Sequence, residues 1–285
     1  MTSTSFRQCV RGPLYFSLVR GTEKPEKFTF IEEKVKPAFS NHYTFHRIPC
    51  KVAGGMKTYR GFLLDADNTL FDYDRAETEA LDETLAVAAP LVPREKARAS
   101  YRAINAGYWK RFEQGAVSLA ALKVGRFADL LKDLDLEGDA DGLSDGYLTR
   151  LSQKAHFLPH AREVVRALSR RAELCLVTNG ISKVQRGRLS LSGIAGCFAA
   201  ILISEELGVA KPDARFFQAA CDSLGLPPAD LLCVGDTPAA DVLGARAAGI
   251  DACWYAPSGA AWTESAGAPD YVIRSLKELL KFAPA

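Results

Sequence analysis

The feature that most constrains this chain is an alternation of short apolar runs with helical stretches, which starts near residue 58. The runs are continuous, as strands covered on both faces require. Helical stretches separate them, for example over 161–170, 183–192 and 239–248. Strand–helix alternation predicts an α/β fold with a doubly wound parallel sheet. The predicted strands cover 59–64, 174–177, 201–203, 231–234, 252–255 and 271–273.

A long segment between the first two predicted strands has only helical character. Its predicted helices cover 77–89, 95–114, 119–134 and 144–154. Such a length far exceeds a crossover loop, which usually takes under about 15 residues. We therefore predict a helical insert over 73–157, within a core formed by 56–72 and 158–285. The insert follows the carboxyl end of the first strand, where open α/β sheets bind ligands.

The first 55 residues differ from the rest of the chain. They hold nine basic and four acidic residues, whereas the remainder holds 27 basic and 30 acidic residues. Met1 and Met56 are the two methionines. We expect 1–55 to be a poorly ordered basic extension, included through a wrong choice of start site. The alternative is a basic arm that docks on the domain or on a partner.

Composition narrows the classes of protein. A net charge of +2 is too small to suggest binding to a nucleic-acid polymer. No apolar run reaches 18 residues, so we expect no association with a membrane. The seven cysteines form no C-x-x-C pair, and the four histidines lack zinc-ligand spacing. Cysteines within apolar runs suit a reducing cytoplasm, which is the location we expect.

Four polar clusters each lie at the end of a predicted strand or in the loop beyond it. They are the segments 65–70 (DADNTL), 178–180 (TNG), 211–212 (KP) and 235–241 (GDTPAAD). The carboxyl ends of parallel strands share one edge of the sheet. We therefore expect the four clusters to converge on one crevice.

The acidic residues of the first and last clusters are candidate metal ligands. Asp65 and Asp67 would repel each other by about 3–4 kcal/mol at ~4–6 Å and an effective dielectric constant of about 20. A hard cation such as Mg²⁺ would remove that repulsion, with further oxygens from Asp236 and Asp241. A carboxylate can also attack phosphorus. The alternatives are a turn or a capping pair for the first two acids and a helix N-cap for Asp236.

The middle clusters are candidates for binding an anion. Thr178 and Asn179 offer a hydroxyl and backbone N–H groups before a helix, although such a segment can be an ordinary turn. Lys211 would be a fixed cation beside a phosphate. The alternative is a solvated lysine.

Together the four clusters resemble the motifs of the haloacid dehalogenase (HAD) superfamily. DADNTLF resembles its D-x-D-x-T motif, VTNG its second motif, AKP its lysine motif and VGDTPAAD its G-D-x₄-D motif. The resemblance covers about 56–285 and implies a Rossmann-like catalytic core with a four-helix cap. Superfamily members that cleave carbon–halogen bonds typically lack the second acid, so Asp67 implies phosphoryl transfer.

The resemblance also implies roles for the motif residues. Asp65 would be the nucleophile, and Asp67 would protonate the leaving alcohol and then activate water. Lys211 would stabilise charge, while Thr178 and Asn179 would hold the phosphoryl group. The implied Mg²⁺ partners are Asp65, the Asp67 carbonyl, Asp236 and Asp241.

Longer stretches resemble the pyrimidine 5′-nucleotidase branch, namely FLLDADNTLFDYDRAE, YWKRFEQG, VTNGISKVQRGRL and GDTPAADVLGARAAGIDACWY. The implied activity is hydrolysis of a small phosphomonoester, a nucleoside 5′-monophosphate. The alternatives are a sugar-phosphate or small-metabolite phosphatase, a phosphomutase and a phosphate-binding module without turnover. Trp109 and Arg111 are candidate specificity residues in the cap. The alternative places the aromatic residues of this helix in the core of the bundle.

Overall fold

The computed structural model describes residues 57–265 and 267–285. The expectation for 1–55 lies outside the described residues. Within them, the strands are β1 (Gly61–Leu64), β2 (Glu173–Thr178), β3 (Ala200–Ile203), β4 (Leu231–Gly235), β5 (Asp251–Tyr255) and β6 (Tyr271–Ile273).

The strands form one parallel sheet in the order β3-β2-β1-β4-β5-β6. The chain winds outward from β1 through β2 to β3, and then returns to the other side of β1 as β4. The strand order therefore reverses between β1 and β4, which is where open α/β sheets bind ligands. This topology confirms the predicted doubly wound fold.

Both faces of the sheet are apolar, which explains why the strand sequences are continuous hydrophobic runs. In β1, Phe62 and Leu64 belong to one core cluster, whereas Leu63 belongs to the cluster on the opposite face. In β4, Leu232 and Cys233 divide in the same way. Among the described cysteines, those at 175, 221, 233 and 253 are buried free thiols.

Four helices lie between β1 and β2, in the segment predicted to be inserted. They are α1 (Tyr73–Ala88), α2 (Arg94–Glu113), α3 (Leu119–Asp133) and α4 (Ala140–Ser152). We call them the helical insert. α1 packs against α4, and α2 packs against α3. α1 and α4 each begin four residues before the sequence-based prediction, because the side chains of Asp72 and Asp139 cap them.

The remaining helices pack mainly around the sheet. They are α5 (Ala161–Leu168), α6 (Ser182–Ser192), α7 (Ser204–Leu207), α8 (Ala214–Leu224) and α9 (Gly244–Ala247). Short 3₁₀ segments cover Ala195–Cys197, Pro228–Asp230 and Leu276–Phe282. None of the described helices has the length and apolarity needed to cross a membrane.

The segment after β4 differs from the single α-helix predicted over 239–248. A π-helical turn, Pro238–Leu243, precedes α9. Its Asp241 accepts the Thr237 N–H at 3.0 Å. The wide turn thus carries a buried acid at its centre, and π turns of this kind recur at functional sites.

Candidate active site

One cavity of about 200 Å³ opens where the strand order reverses. Its walls come from the segments that follow β1, β2 and β4, from the loop before α8, and from the helical insert. It brings together eight of the nine residues selected from the sequence, namely Asp65, Asp67, Trp109, Thr178, Asn179, Lys211, Asp236 and Asp241. The expected convergence of the four clusters is therefore present in the structure.

Lys211 is the cation at the centre of the site. Its Nζ donates to Asp65 Oδ1 at 2.7 Å, Asp241 Oδ1 at 2.6 Å and the Val177 carbonyl at 3.0 Å. Burial alone would lower the pKa of Lys211, but the charges of Asp241 and Asp65 outweigh burial and raise it. The lysine is only 2% exposed, which excludes the solvated alternative.

Asn179 holds the segment that carries this lysine. Its Nδ2 donates to the Lys211 carbonyl at 2.8 Å, and its Oδ1 accepts the Lys211 N–H at 2.8 Å. The Asn179 amide is therefore engaged with the Lys211 backbone. This contact gives Asn179 a positioning role that its place in the sequence did not reveal.

Three carboxylates meet beside Lys211. One oxygen from each of Asp65, Asp236 and Asp241 lies within 4.8 Å of the other two. Burial raises the pKa of Asp65 well above its usual range, Lys211 opposes that shift, and Asp241 and Asp236 add to it. Burial and then the charge of Asp241 raise the pKa of Asp236 to about 7. Burial and mutual repulsion disfavour the charged forms of these carboxylates. A hard divalent cation such as Mg²⁺, which binds oxygen ligands, would offset that repulsion.

None of the three acids considered as possible caps, Asp65, Asp67 and Asp236, caps a described helix here. The N-cap of α1 is Asp72, and the N-cap of the π-helical turn is Thr237. Asp236 is instead fixed by its backbone, whose carbonyl accepts the Trp254 indole N–H at 2.8 Å. These positions favour the metal-ligand interpretation of Asp65 and Asp236 over the capping alternative.

The Asp67 carboxylate is held by α6. Its Oδ2 accepts Gln185 Nε2 at 2.8 Å, and its Oδ1 accepts a hydrogen bond from the buried guanidinium of Arg188. Gln185 Oε1 also accepts Arg188 Nη2 at 3.0 Å, which ties the two donors together. The two acids of the D-x-D motif thus have different surroundings: Asp65 pairs with the lysine, whereas Asp67 is bound by an amide and a guanidinium.

Thr178 lies next to this pair of donors. Its Oγ1 accepts the Gly180 N–H at 3.1 Å and Gln185 Nε2 at 3.2 Å. A hydroxyl that accepts two hydrogen bonds still has its own hydrogen to donate. Thr178 is buried in the cavity wall and can direct that hydrogen toward a bound anion.

The helical insert forms the opposite wall, through Tyr73, Trp109, Glu113, Arg126 and Leu151. Trp109 and Glu113 are four residues apart on α2 and so share one face of the helix. Burial and then the charge of Asp241 raise the pKa of Glu113, in keeping with its position facing the carboxylates.

Arg111 does not line the cavity. Its guanidinium lies over the Tyr108 ring, with Cζ 4.1 Å from the ring centroid. Two residues along a helix turn a side chain by about 200°, so Arg111 cannot share the face of Trp109. The sequence-based choice of Arg111 therefore lacks structural support, while Trp109 lines the cavity as expected.

Sequence reasoning did not select Gln185, Arg188, Glu113 or Arg126 for the site. Gln185 and Arg188 lie three residues apart on α6, and both are buried. Two polar residues at helical spacing directly after the T-N-G cluster were the available signal. Glu113 lies in α2 and Arg126 in α3. Both helices carry several charged residues, so the sequence did not distinguish these two from the others.

Comparison with known proteins places this geometry in context. Residues 59–249 match the sequence model of a protein family described as haloacid dehalogenase-like hydrolase. The pyrimidine 5′-nucleotidase PynA of Streptococcus pneumoniae is 33% identical over 224 residues, which cover 78% of this chain and 94% of PynA. The pyrimidine 5′-nucleotidase YjjG of Escherichia coli is 32% identical over 219 residues, covering 75% of this chain and 93% of YjjG.

A solved structure is also similar. The crystal structure of the HAD-hydrolase YfnB from Bacillus subtilis, bound to magnesium, matches with a TM-score of 0.73 and 32% identity. The match covers 78% of this chain and 97% of that chain. The similarity therefore spans both the sheet and the helical insert.

Proposed function

Because this chain belongs to the haloacid dehalogenase-like hydrolase family, we propose that it is a Mg²⁺-dependent phosphatase of pyrimidine nucleoside 5′-monophosphates. The observation that carries the proposal is the separation of the two D-x-D carboxylates. Asp65 is paired with Lys211 beside two further acids, whereas Asp67 is held apart by Gln185 and Arg188. The two acids are thus held in different surroundings, which suits separate roles in attack and in proton transfer.

Asp65 is the proposed nucleophile. Lys211 holds its Oδ1, which leaves Oδ2 to attack phosphorus. The new oxygen–phosphorus bond forms as the ester bond breaks, giving an aspartyl-phosphate and the leaving alcohol. The Lys211 ammonium offsets negative charge during this step, and the Thr178 hydroxyl donates to a phosphoryl oxygen.

Asp67 is the proposed general acid and base. Its carboxylic acid form gives a proton to the departing alkoxide, and the resulting carboxylate takes a proton from the water that attacks the aspartyl-phosphate. Hydrolysis releases inorganic phosphate and restores both aspartates. Displacement of a halide needs no proton donor, so a positioned second acid favours phosphate esters over halogenated acids.

The residues that would hold the metal are Asp65, Asp236 and Asp241, together with the Asp67 carbonyl implied by the family motif. When bound, Mg²⁺ would supply positive charge to the carboxylate cluster and to the phosphoryl oxygens. The chemistry of the donor set supports this assignment.

A pyrimidine nucleotide suits the aromatic and apolar walls of the cavity. Trp109 and Tyr73 offer aromatic surface, and Leu151, Ile181 and Val184 offer apolar surface. A planar base can stack on such walls, whereas a hexose presents hydroxyl groups that they cannot satisfy. The names of PynA and YjjG support the same substrate class. Free buried thiols support a cytoplasmic location.

A screen of phosphomonoesters with Mg²⁺ tests the proposal. We expect faster phosphate release from UMP or dTMP than from hexose phosphates, and no release by the Asp65→Asn variant. Preference for hexose phosphates would overturn the nucleotide assignment. Isomerisation without phosphate release would indicate a phosphomutase, and binding without turnover would indicate a phosphate-binding module.

A further inference from the structure

We propose that Arg126 is a substrate-binding residue, and that its guanidinium donates hydrogen bonds to a ring carbonyl oxygen of the leaving group. The inference rests on the proposed function and deepens it, because a carbonyl on a flat ring is the feature that pyrimidine bases share. Arg126 lies on α3 and lines the same cavity as Asp65. A phosphate seated at Asp65 would direct the rest of the substrate toward the helical insert.

The first observation is that Arg126 has unmet hydrogen-bond donors. The residue is 1% exposed. Its Nη1 donates to Asn105 Oδ1 at 2.9 Å, but Nε and Nη2 have no acceptor among the described residues. These two nitrogens lie on one edge of the guanidinium and form a fork of parallel donors. Buried donors normally have partners, so this edge has capacity for an acceptor. Both nitrogens are closed to solvent in this structure, so a ligand would reach them as the surrounding side chains shift.

The second observation concerns the rings around the guanidinium. Its Cζ lies 5.8 Å from the ring centroid of Tyr101, 5.4 Å from that of Phe127 and 5.1 Å from that of Tyr147. Attraction to ring faces stabilises the cation and fixes its position, but it does not satisfy directional N–H donors. The aromatic contacts therefore explain how the protein tolerates the buried charge. They do not provide acceptors for the N–H groups of Nε and Nη2.

The third observation concerns charge. Asn105 connects Arg126 to the buried Glu77, because Asn105 Nδ2 donates to Glu77 Oε1 at 2.9 Å. The insert thus already holds a carboxylate that offsets part of the guanidinium charge, although Glu77 also lies 4.0 Å from Arg102 Nε. A neutral acceptor such as a carbonyl completes the donor set without adding charge, whereas a substrate carboxylate would bring a second anion close to Glu77.

The cavity wall around Arg126 fits the same ligand. Trp109, Tyr73 and Leu151 of the insert line the cavity together with Ile181 and Val184 of the segment after β2. Ligand pockets commonly combine apolar walls with a few directional polar groups. A planar ring held by these walls would present its edge, and hence its carbonyl oxygen, to a donor such as the Arg126 fork.

The test compares substrates on the wild-type enzyme first. UMP is set against an analogue that keeps the ribose 5-phosphate and carries a phenyl ring in place of uracil. This analogue keeps the flat ring and removes the carbonyl oxygens. We expect kcat/KM to be about tenfold lower for the analogue, mainly through a higher KM, since a buried charged donor loses its partner. This comparison does not depend on whether any variant folds.

The variants then assign the effect to Arg126. Arg126→Met should lower kcat/KM for UMP by about tenfold and leave that for the phenyl analogue nearly unchanged, so that the preference disappears. Arg126→Lys, which keeps the charge but not the fork, should recover part of the loss. Arg111→Met removes a cation of the insert that lies outside the cavity, and it should change kcat/KM for neither substrate.

The outcomes separate this inference from the proposed function. A wild-type enzyme that releases no phosphate from UMP would overturn the proposed function. Equal hydrolysis of UMP and the phenyl analogue, or equal losses on both in Arg126→Met, would overturn the role of Arg126 and leave a buried structural cation. Faster hydrolysis of phosphoserine than of UMP, with the difference lost in Arg126→Met, would overturn the carbonyl assignment in favour of a carboxylate.

Discussion

The Lys211 ammonium and the Asp65 carboxylate form a buried ion pair at the point where the sheet reverses its strand order, with Nζ 2.7 Å from Oδ1. The same ammonium also binds Asp241 at 2.6 Å. One cation therefore offsets two buried anions. We therefore expect both the stability of the fold and the proposed reactivity of Asp65 to depend on Lys211.

Replacing Lys211 by methionine should destabilise the protein and abolish phosphatase turnover. The change leaves two carboxylates buried without their cation, which typically costs about 3–5 kcal/mol. Urea denaturation in a metal-free buffer measures the free energy of unfolding.

Arg215→Met is the matched control, because it breaks an exposed ion pair with Asp213. That control should change the free energy of unfolding by less than about 1 kcal/mol. If the two substitutions lowered the free energy of unfolding equally, Lys211 would not be the cation that stabilises the buried carboxylates.

Magnesium should stabilise the wild-type protein, and the carboxylate cluster should be responsible. Adding Mg²⁺ after removal of metals with a chelator should raise the Tm, since a ligand that binds only the folded state stabilises it. Asp236→Asn should lose most of this increase. Its control, Asp213→Asn, removes an exposed carboxylate outside the cluster and should keep the increase. An undiminished increase in Asp236→Asn would exclude Asp236 as a ligand.

The metal-free protein should also depend on pH through Asp236. Folding raises the pKa of this group from 3.8 to about 7. Because the unfolded state ionises first, the folded state loses stability as pH rises from about 4 to about 7. Asp236→Asn should therefore stabilise the metal-free protein more at pH 8 than at pH 4, as measured by urea denaturation at both pH values. If Asp236→Asn changed the free energy of unfolding equally at both pH values, the pKa of Asp236 would not be raised in the folded protein.

Gln185 and Arg188 should matter most for substrates with poor leaving groups. Both residues bind the Asp67 carboxylate, so their loss should misplace the proposed proton donor. p-Nitrophenolate leaves without help, whereas the alkoxide of UMP needs a proton. Gln185→Leu and Arg188→Met should thus lower kcat for UMP by at least about tenfold more than for p-nitrophenyl phosphate.

The control for this prediction is Arg186→Met on the same helix. Arg186 pairs with Glu206 near the protein surface, away from Asp67. It should leave the ratio of the two rates unchanged. A general loss of stability in the Gln185 or Arg188 variants would reduce both rates together. Equal losses on both substrates would therefore indicate a structural role only.

Much of the fold and of the candidate active site could be predicted because local sequence determines them. Strands buried on both faces must be apolar throughout, so 174–177 and 231–234 were recognisable without partners. The polar residues directly after them, Thr178 and Asp236, then had to lie at one edge of the sheet. Topology alone brings these groups together.

The remaining parts depend on tertiary contacts that local patterns do not encode. An arginine in a polar helix such as α6 is usually exposed, and only its contact with the Asp67 carboxylate explains the burial of Arg188. Arg126 sits in a helix whose charged residues are mostly exposed, and only the packing of three aromatic rings buries it. Arg111 was selected and Glu113 was not considered, because the packing of α2 against α3 determines which face of α2 meets the cavity, and the sequence of α2 alone does not show that face.

The most direct test of the account is to trap the phosphoryl group on the enzyme. Wild-type protein is mixed with radiolabelled UMP and Mg²⁺, quenched in acid and digested. We predict label on the peptide that contains Asp65, and no label in Asp65→Asn, which should retain its Tm. Label on another residue, or phosphate release by a folded Asp65→Asn variant, would contradict Asp65 as the nucleophile.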